Sequence, residues 1–328
     1  YMKKILSHDG ISGYITSNKF FTIKSGSSVR DFMINNYKIH SIVDFGDTKL
    51  FNASVLPCII VFSNGCTTNP EKVNFTSIYE SKDKTSPFSS IVSIFDSINK
   101  DGRYSLEDGR VFDYCQGYLH DVSKGALWVI ASNEKKKWLT TVESNTWLHL
   151  SDLGKIRVGI KTTADNVFIG NDWTGEKANI ELLRPLITHR DAGQIVAKRK
   201  TTWKVLYTHT TIDGKKTAYN IEDFPESKSY LEQHYKQLAG RNYLIKAKRN
   251  WYEIWVPQNP DSWKNRKIVF RDISEKPEFW LDETGAIVNG DCYWIDIDSS
   301  VFEDTIYLAL AVVNSSFIEK YYDAKFNT

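Results

Sequence analysis

The sequence predicts the closing strands of an open α/β sheet followed by a mixed α+β domain, and three observations predict it. Strand and helix signals alternate with short connections through residues 1–62. The run at 56–62 (LPCIIVF) is apolar throughout, as befits a strand covered on both faces. Beyond residue 150, helix-like and strand-like segments mix in a stretch rich in aromatic residues.

Taken in order, Ile5 and Leu6 close a helix at the turn cluster His8-Asp9-Gly10. Residues 11–15 read as a strand that ends at Thr16-Ser17-Asn18. Residues 25–36 read as a helix with Val29, Phe32 and Met33 inward and Arg30 outside. Residues 39–45 and 56–62 supply two more strands, and strand–helix–strand with short loops implies an α/β sheet. Three strands and one full helix are too few for a complete doubly wound domain, so the expectation is the carboxy-terminal portion of a longer chain.

Residues 63–87 are polar and read as a connection with one strand near 73–79. Phe88, Ile91, Val92, Phe95 and Ile98 recur at helical spacing, predicting an amphipathic helix stopped by Asp101-Gly102, with Ile94 off its face. Strand-like pieces fill 110–130 and a short helix follows at 134–142. Further strands are expected at 156–160, 251–256, 267–273 and 291–297, a helix at 228–238, and one closing helix from 303 to about 322. Trp128, Trp251, Trp255 and Trp294 belong to strand-like runs and are expected in the core, whereas Trp173 is expected at the surface. The resulting division is 1–63, 64–149 and 150–328.

Composition narrows the function classes. Hydrophobic residues are 41% and charged residues 25%, ordinary for a globular chain. No apolar run approaches the ~18–20 residues of a membrane-spanning helix. Cys58, Cys66, Cys115 and Cys292 are far apart, which fits a reducing cytoplasm and argues against a disulfide framework or a zinc site. The seven histidines are dispersed, and no metal is expected. The net charge of +2 conceals a block at 190–271 carrying +9 and a block at 272–328 carrying −9. A basic block in a near-neutral chain points to a local surface for a polyanion. The alternative is that the two blocks face each other within one domain.

Four stretches together carry a family resemblance. The first comprises 13–20 (GYITSNKF), 29–32 (VRDF), 42–47 (IVDFGD), 50–53 (LFNA) and 58–62 (CIIVF). The second comprises 153–162 (LGKIRVGIKT), 183–187 (LRPLI) and Arg190-Asp191. The third comprises 251–254 (WYEI), 267–274 (KIVFRDIS) and 277–279 (PEF). The fourth comprises 289–293 (NGDCY), 308–310 (LAL) and 313–316 (VNSS). In that order they resemble bacterial N6-adenine DNA methyltransferases of restriction–modification systems. The resemblance implies the end of a Rossmann-like catalytic sheet at 1–63, a connecting segment at 64–149 and a TaqI-like target-recognition domain at 150–328.

It further implies S-adenosylmethionine as cofactor of the longer enzyme. It implies duplex DNA as partner, and an amino-terminal catalytic region with or without a nuclease. The family's glycine-containing cofactor loop and its Asn-Pro-Pro-Tyr motif are absent from this sequence; the only Asn-Pro pairs are Asn69-Pro70 and Asn259-Pro260. The chain alone is therefore expected neither to bind the cofactor nor to methylate DNA.

By the same resemblance, Phe51 occupies the position of an aromatic residue that stacks on a flipped adenine. Asn18 and Lys19 follow a strand end, where loops of open α/β sheets meet ligand. Lys161, Thr162 and Thr163 follow Gly159, which permits close backbone approach, and the family tends to carry a second glycine where Thr163 stands. Phosphate contacts are expected from Lys198, Arg199, Lys200, Lys246, Lys248 and Arg249. Arg190 is a candidate for guanine, oriented by Asp191 or else paired with it, and Arg271 a candidate for target-dependent variation. Two other readings remain open at this point: a free-standing DNA-binding specificity subunit or phage-defence sensor, and an aromatic-rich carbohydrate-binding module.

Overall fold

A computed structural model describes residues 5–326 apart from 47, 49, 52–54, 69–72, 82–88, 120–122, 129 and 132. Asn52-Ala53, Asn69-Pro70 and Phe88 lie outside the described residues. The chain divides into two compact units, Tyr1–Thr146 with Tyr321–Thr328, and Trp147–Lys320.

In the first unit, β1 (Ile11–Ser17), α1 (Ser27–Asn36), β2 (Tyr37–Asp44) and β3 (Pro57–Asn64) reproduce the expected order. β1 and β2 are joined through α1, and β3 lies between them, antiparallel to both. The sheet continues through β4 (Asn74–Glu80), β5 (Ser89–Ser90), β6 (Gly102–Ser105), β7 (Val111–Leu119) and β8 (Ile130–Ala131). Its order is β1-β3-β2-β4-β7-β6-β5, with β8 on β7. A register shift between Ile39 and Ser41 keeps Tyr37, Ile39 and Ile42 on one face although their spacing changes from two to three. Val43 and Phe45 turn to the other face, where Ile78, Phe112 and Tyr114 join them. α2 (Asn133–Ser144) follows β8.

α1 is rotated relative to expectation. Val29 and Phe32 are about half exposed, while Arg30 and Ile34 are buried. The Arg30 guanidinium donates from Nε to Ala126 O (2.6 Å), from Nη1 to Phe20 O (2.6 Å) and Ile23 O (3.0 Å), and from Nη2 to Gly125 O (3.0 Å). Periodicity alone places a charged residue outside; here four carbonyls of two loops take its protons, and the charge becomes the core side of the helix.

The expected helix across 88–98 is absent in the residues described. Residues 92–93 bend and 94–99 form consecutive turns instead. The Ile94 carbonyl accepts from Tyr114 Oη (2.6 Å), and that of Ile98 accepts from Thr76 Oγ1 (3.2 Å) and Gln116 Nε2 (2.9 Å). The Asp96 carboxylate accepts the backbone N–H groups of Val92 (3.0 Å) and Ser93 (2.8 Å). Carbonyls held by the sheet and amides held by Asp96 leave no helical ladder. Ile91, Ile94 and Ile98 face the core, and Val92 and Phe95 face outward.

The second unit holds α3 (Leu150–Leu153), β9 (Gly154–Val158), α4 (Asp165–Phe168), β10 (Ile169–Gly170), β11 (Leu183–Ile187), β12 (Lys204–Leu206), β13 (His209–Ile212) and β14 (Lys215–Ala218). It continues with α5 (Pro225–Gln233), α6 (Tyr235–Ala239), α7 (Asn242–Lys246), β15 (Lys267–Arg271), β16 (Phe279–Asp282), β17 (Ile287–Val288), β18 (Cys292–Ile297) and α8 (Glu303–Val313). α9 (Ser316–Phe326) follows. Two four-stranded sheets, β10-β12-β11-β17 and β16-β15-β18-β9, accompany the β13–β14 hairpin.

Four expectations change here. Residues 228–238 break at His234 into two helices. Trp173 is buried; its Nε1 donates to Gly170 O (2.9 Å) and its ring meets Tyr230 edge-on. Residues 251–256 form no strand, because Arg241 takes the carbonyl of Trp251 and Arg249 those of Ile254 and Trp255; Trp251 and Trp255 are only half-buried. The closing helix is interrupted at Asn314, whose side chain both accepts from Phe279 N (2.9 Å) and donates to Phe279 O (2.8 Å).

Replacing Arg30 by leucine leaves those four carbonyls unsatisfied. Urea unfolding followed through the buried Trp128 is expected to show a loss of about 3 kcal/mol.

Candidate functional site

The loop after β9 is fixed by close backbone packing. A Cβ on Gly159 would lie 2.0 Å from Asn289 O, and one on Gly290 2.6 Å from Ile160 O. Ile160 N donates to Val288 O (2.8 Å), and Lys161 and Val256 exchange two backbone hydrogen bonds (3.0 and 2.9 Å). Thr162 is fully buried; its hydroxyl donates to the Asp165 carboxylate and accepts from Ala164 N (3.1 Å). Thr163 has φ +62°, the left-handed conformation that glycine adopts most readily.

Two residues that sequence reasoning did not single out hold this loop. Buried Arg241 donates to Thr162 O (3.0 Å), Leu238 O (3.1 Å) and Trp251 O (2.5 Å). The Tyr243 hydroxyl bonds Thr163 Oγ1, and its ring meets Trp255 edge-on at 4.8 Å. The exposed side chain of Lys161 thus borders a groove of about 720 Å³, whose walls include Thr163, Asn166, Gln237, Asp272 and Asp291.

Residues 188–200 form a second segment, organised around Asp191. Buried Asp191 accepts from Thr188 N (2.8 Å) and pairs with Arg199 Nε (3.6 Å). Its carboxylate therefore orients Thr188 and Arg199. Arg190 instead lies over the Trp203 ring, 4.9 Å from its centroid. Lys198 and Lys200 are exposed.

The basic block is divided. Its end faces the acidic segment through Arg266–Glu283 (2.7 Å), Lys267–Asp282 (2.9 Å) and Arg271–Glu278 (2.8 Å). Arg249 is also engaged internally, with Glu253 (2.6 Å), two carbonyls and His209 Nε2 (3.1 Å). Exposed Lys198, Lys200, Lys215, Lys216, Lys246 and Lys248 form no ion pair among the described residues. Burial lowers the pKa of His209 against the pull of Glu253; desolvation also opposes the Glu253 carboxylate, but the hydrogen bonds it accepts from its neighbours, Asn250 N and Arg249 among them, outweigh this and bring its carboxyl down to about 2.

In the first unit, buried Asn18 donates through Nδ2 to Asp44 Oδ1 (2.7 Å). Asp44 also accepts from Gly46 N (3.1 Å) and Tyr79 Oη (2.8 Å). Burial raises its carboxyl, and these hydrogen bonds oppose the shift. Lys19 is exposed, and Phe51 is 46% exposed. Among the described residues no three His, Cys, Asp or Glu side chains are grouped to hold a metal, and no helix is long and apolar enough to cross a membrane.

Residues 1–51 match the Eco57I restriction-modification methylase family, and residues 193–328 match the TaqI-like C-terminal specificity domain. Type II methyltransferase M.BanIII of Aneurinibacillus aneurinilyticus is 37% identical, covering 98% of this chain and 58% of its own length. M.BstVI of Geobacillus stearothermophilus is 25% identical, covering 89% and 50%. The chain thus spans about half the length of the curated relatives it matches. The fold resembles that of the type IIL restriction-modification enzyme MmeI, solved in complex with DNA, with a TM-score of 0.53 at 13% identity over 96% of this chain and 36% of that one.

The chain is similar to the methyltransferases of restriction–modification systems. It joins a segment that matches the Eco57I methylases to one that matches the TaqI-like specificity domain.

Two predictions follow from the geometry. Glu253 titrates at about 2 in the fold against 4.5 ordinarily, so its contribution is complete above pH 4.5 and disappears as pH falls toward 2. Unfolding free energies from urea titrations across that window are expected to drop by on the order of 2–3 kcal/mol, and Glu253→Gln to flatten the slope. Gly159→Ala must push the 288–290 backbone away; a stability loss of at least about 2 kcal/mol by thermal unfolding is expected.

Proposed function

We propose that the chain is the sequence-reading portion of a site-specific adenine-N6 DNA methyltransferase. Residues 150–328 contact duplex DNA in this reading. Residues 1–63 close the catalytic domain, and 64–149 connect the two while extending the sheet. The supporting observation is the divided basic block: its end is neutralised inside the fold, while Lys198, Lys200, Lys215, Lys216, Lys246 and Lys248 project freely. Such lysines suit phosphates, which set position on a duplex. The loops at 159–163 and 188–200, held by the backbone packing of Gly159 and by Asp191, suit the base edges, since sequence discrimination needs side chains held in register. Arg190, stacked on Trp203, presents a planar donor fork of the kind that reads guanine. Exposed Phe51 suits stacking against a base turned out of the duplex.

S-adenosylmethionine supplies the methyl group in this family. The residues present do not fit it: the cofactor loop and Asn-Pro-Pro-Tyr are absent from the sequence, and Asp44, a strand-end carboxylate, has its oxygens taken by Asn18, Gly46 and Tyr79. Calorimetric titration of the chain with S-adenosylmethionine is expected to show no binding. Four of the ten tryptophans, Trp128, Trp263, Trp280 and Trp294, are fully buried and so take no part in stacking on a sugar.

The deciding experiment is a gel-shift series with duplex DNA over a range of salt. Affinity is expected to fall steeply with salt, and the double variant Lys198→Ala/Lys200→Ala to reduce the slope of log K against log salt by about 2. Salt-independent binding, or none at low salt, contradicts the proposal.

A further inference from the structure

Beside Arg190 stands a residue that the sequence pattern did not single out. His189 and Asp291 are 102 positions apart, yet His189 Nδ1 lies 2.6 Å from Asp291 Oδ2, and His189 N is 3.4 Å from the same oxygen. Asp291 is fixed in turn. It follows Gly290, whose backbone packs on Ile160, and its own carbonyl accepts from Asp272 N (3.1 Å). It forms part of the wall of the groove that Lys161 borders. The His189 side chain is 46% exposed, and its Nε2 has no hydrogen-bond partner among the described residues.

A carboxylate only accepts, so it selects the tautomer with the proton on Nδ1 and leaves a lone pair on Nε2. This arrangement resembles the outer partners that fix ligand histidines in metal sites, applied here to a side chain directed at solvent. An acceptor of fixed direction distinguishes bases. Adenine N6 and cytosine N4 present N–H donors in the major groove, whereas guanine O6 and thymine O4 present acceptors.

We propose that His189 is a specificity-determining residue that accepts a hydrogen bond from the exocyclic amino group of an adenine or cytosine in the target site, and that Asp291 positions it by fixing its tautomer. This deepens the DNA-recognition reading and rests on it. A lysine on a phosphate strengthens all sequences alike, whereas a tautomer-locked imidazole discriminates at one base pair.

The test is selection of bound duplexes from a randomised pool by the full chain, comparing the wild type with His189→Ala and Asp291→Asn. Both variants are expected to lose a preference of about tenfold for an amino-bearing base at one position, with preferences elsewhere retained. Asp291→Asn keeps the shape but offers either a donor or an acceptor to Nδ1, so it relaxes the same position with His189 still present. Nitrogen NMR of the wild-type imidazole is expected to show a protonated Nδ1 and a bare Nε2, and a tautomer mixture in Asp291→Asn. A uniform loss across all sequences would assign His189 to phosphate or to folding and overturn the proposal. Unchanged preferences in both variants would overturn it as well. Failure of the wild-type chain to bind any duplex would instead refute the underlying DNA-recognition reading, separately from the role of His189.

Discussion

The second unit depends on one steric constraint: two backbone segments, 159–161 and 288–290, run so close that neither Gly159 nor Gly290 has space for a Cβ. Side chains normally keep backbones further apart, and only glycine relaxes that separation. The contact ties the end of β9 to the connection between β17 and β18, two regions far apart in sequence. From it follow the position of Lys161 against Val256, the left-handed turn at Thr163 and the placement of Asp291 beside His189. The groove is therefore a consequence of packing, and its polar walls are held by main chain.

Arginine carries a comparable burden elsewhere. Arg30, Arg241 and Arg249 each gather carbonyls that helix or strand ladders leave over. A guanidinium has five donors in a planar fork, so one side chain can satisfy several loops together. In the first unit this joins the 20–23 and 125–126 segments; in the second it replaces the strand expected at 251–256. Of the charge in the basic block, part is thus internal scaffolding and part is free at the surface.

This division explains what the sequence disclosed. The strands at 11–17, 37–44, 57–64, 267–271 and 292–297 were legible, because strand-like apolar patterning, an unbroken run in the case of 57–64, is a local property of the sequence. The 91–98 turns were not, since the groups that capture the carbonyls of Ile94 and Ile98 sit on β4 and β7, beyond any local window. Charge density singled out Lys198 and Lys246, which are exposed, but it could not separate them from Arg249, whose carboxylate partner is set by tertiary structure. His189 was invisible for a related reason: a histidine next to an arginine carries no signal until Asp291 arrives from 102 positions away.

Asn314 has a significance beyond ending a helix. β16 is the outermost strand of its sheet, and such an edge invites pairing with a foreign chain. The asparagine amide grips both the N–H and the C=O of Phe279, imitating one rung of a neighbouring ribbon, and Ile195 supplies the next through Phe279 O and Leu281 N. Ile195 does so at φ +68°, unfavourable for a branched residue. That edge is thereby capped by two side elements instead of a further strand, one of the ways a sheet margin is kept from pairing with another chain.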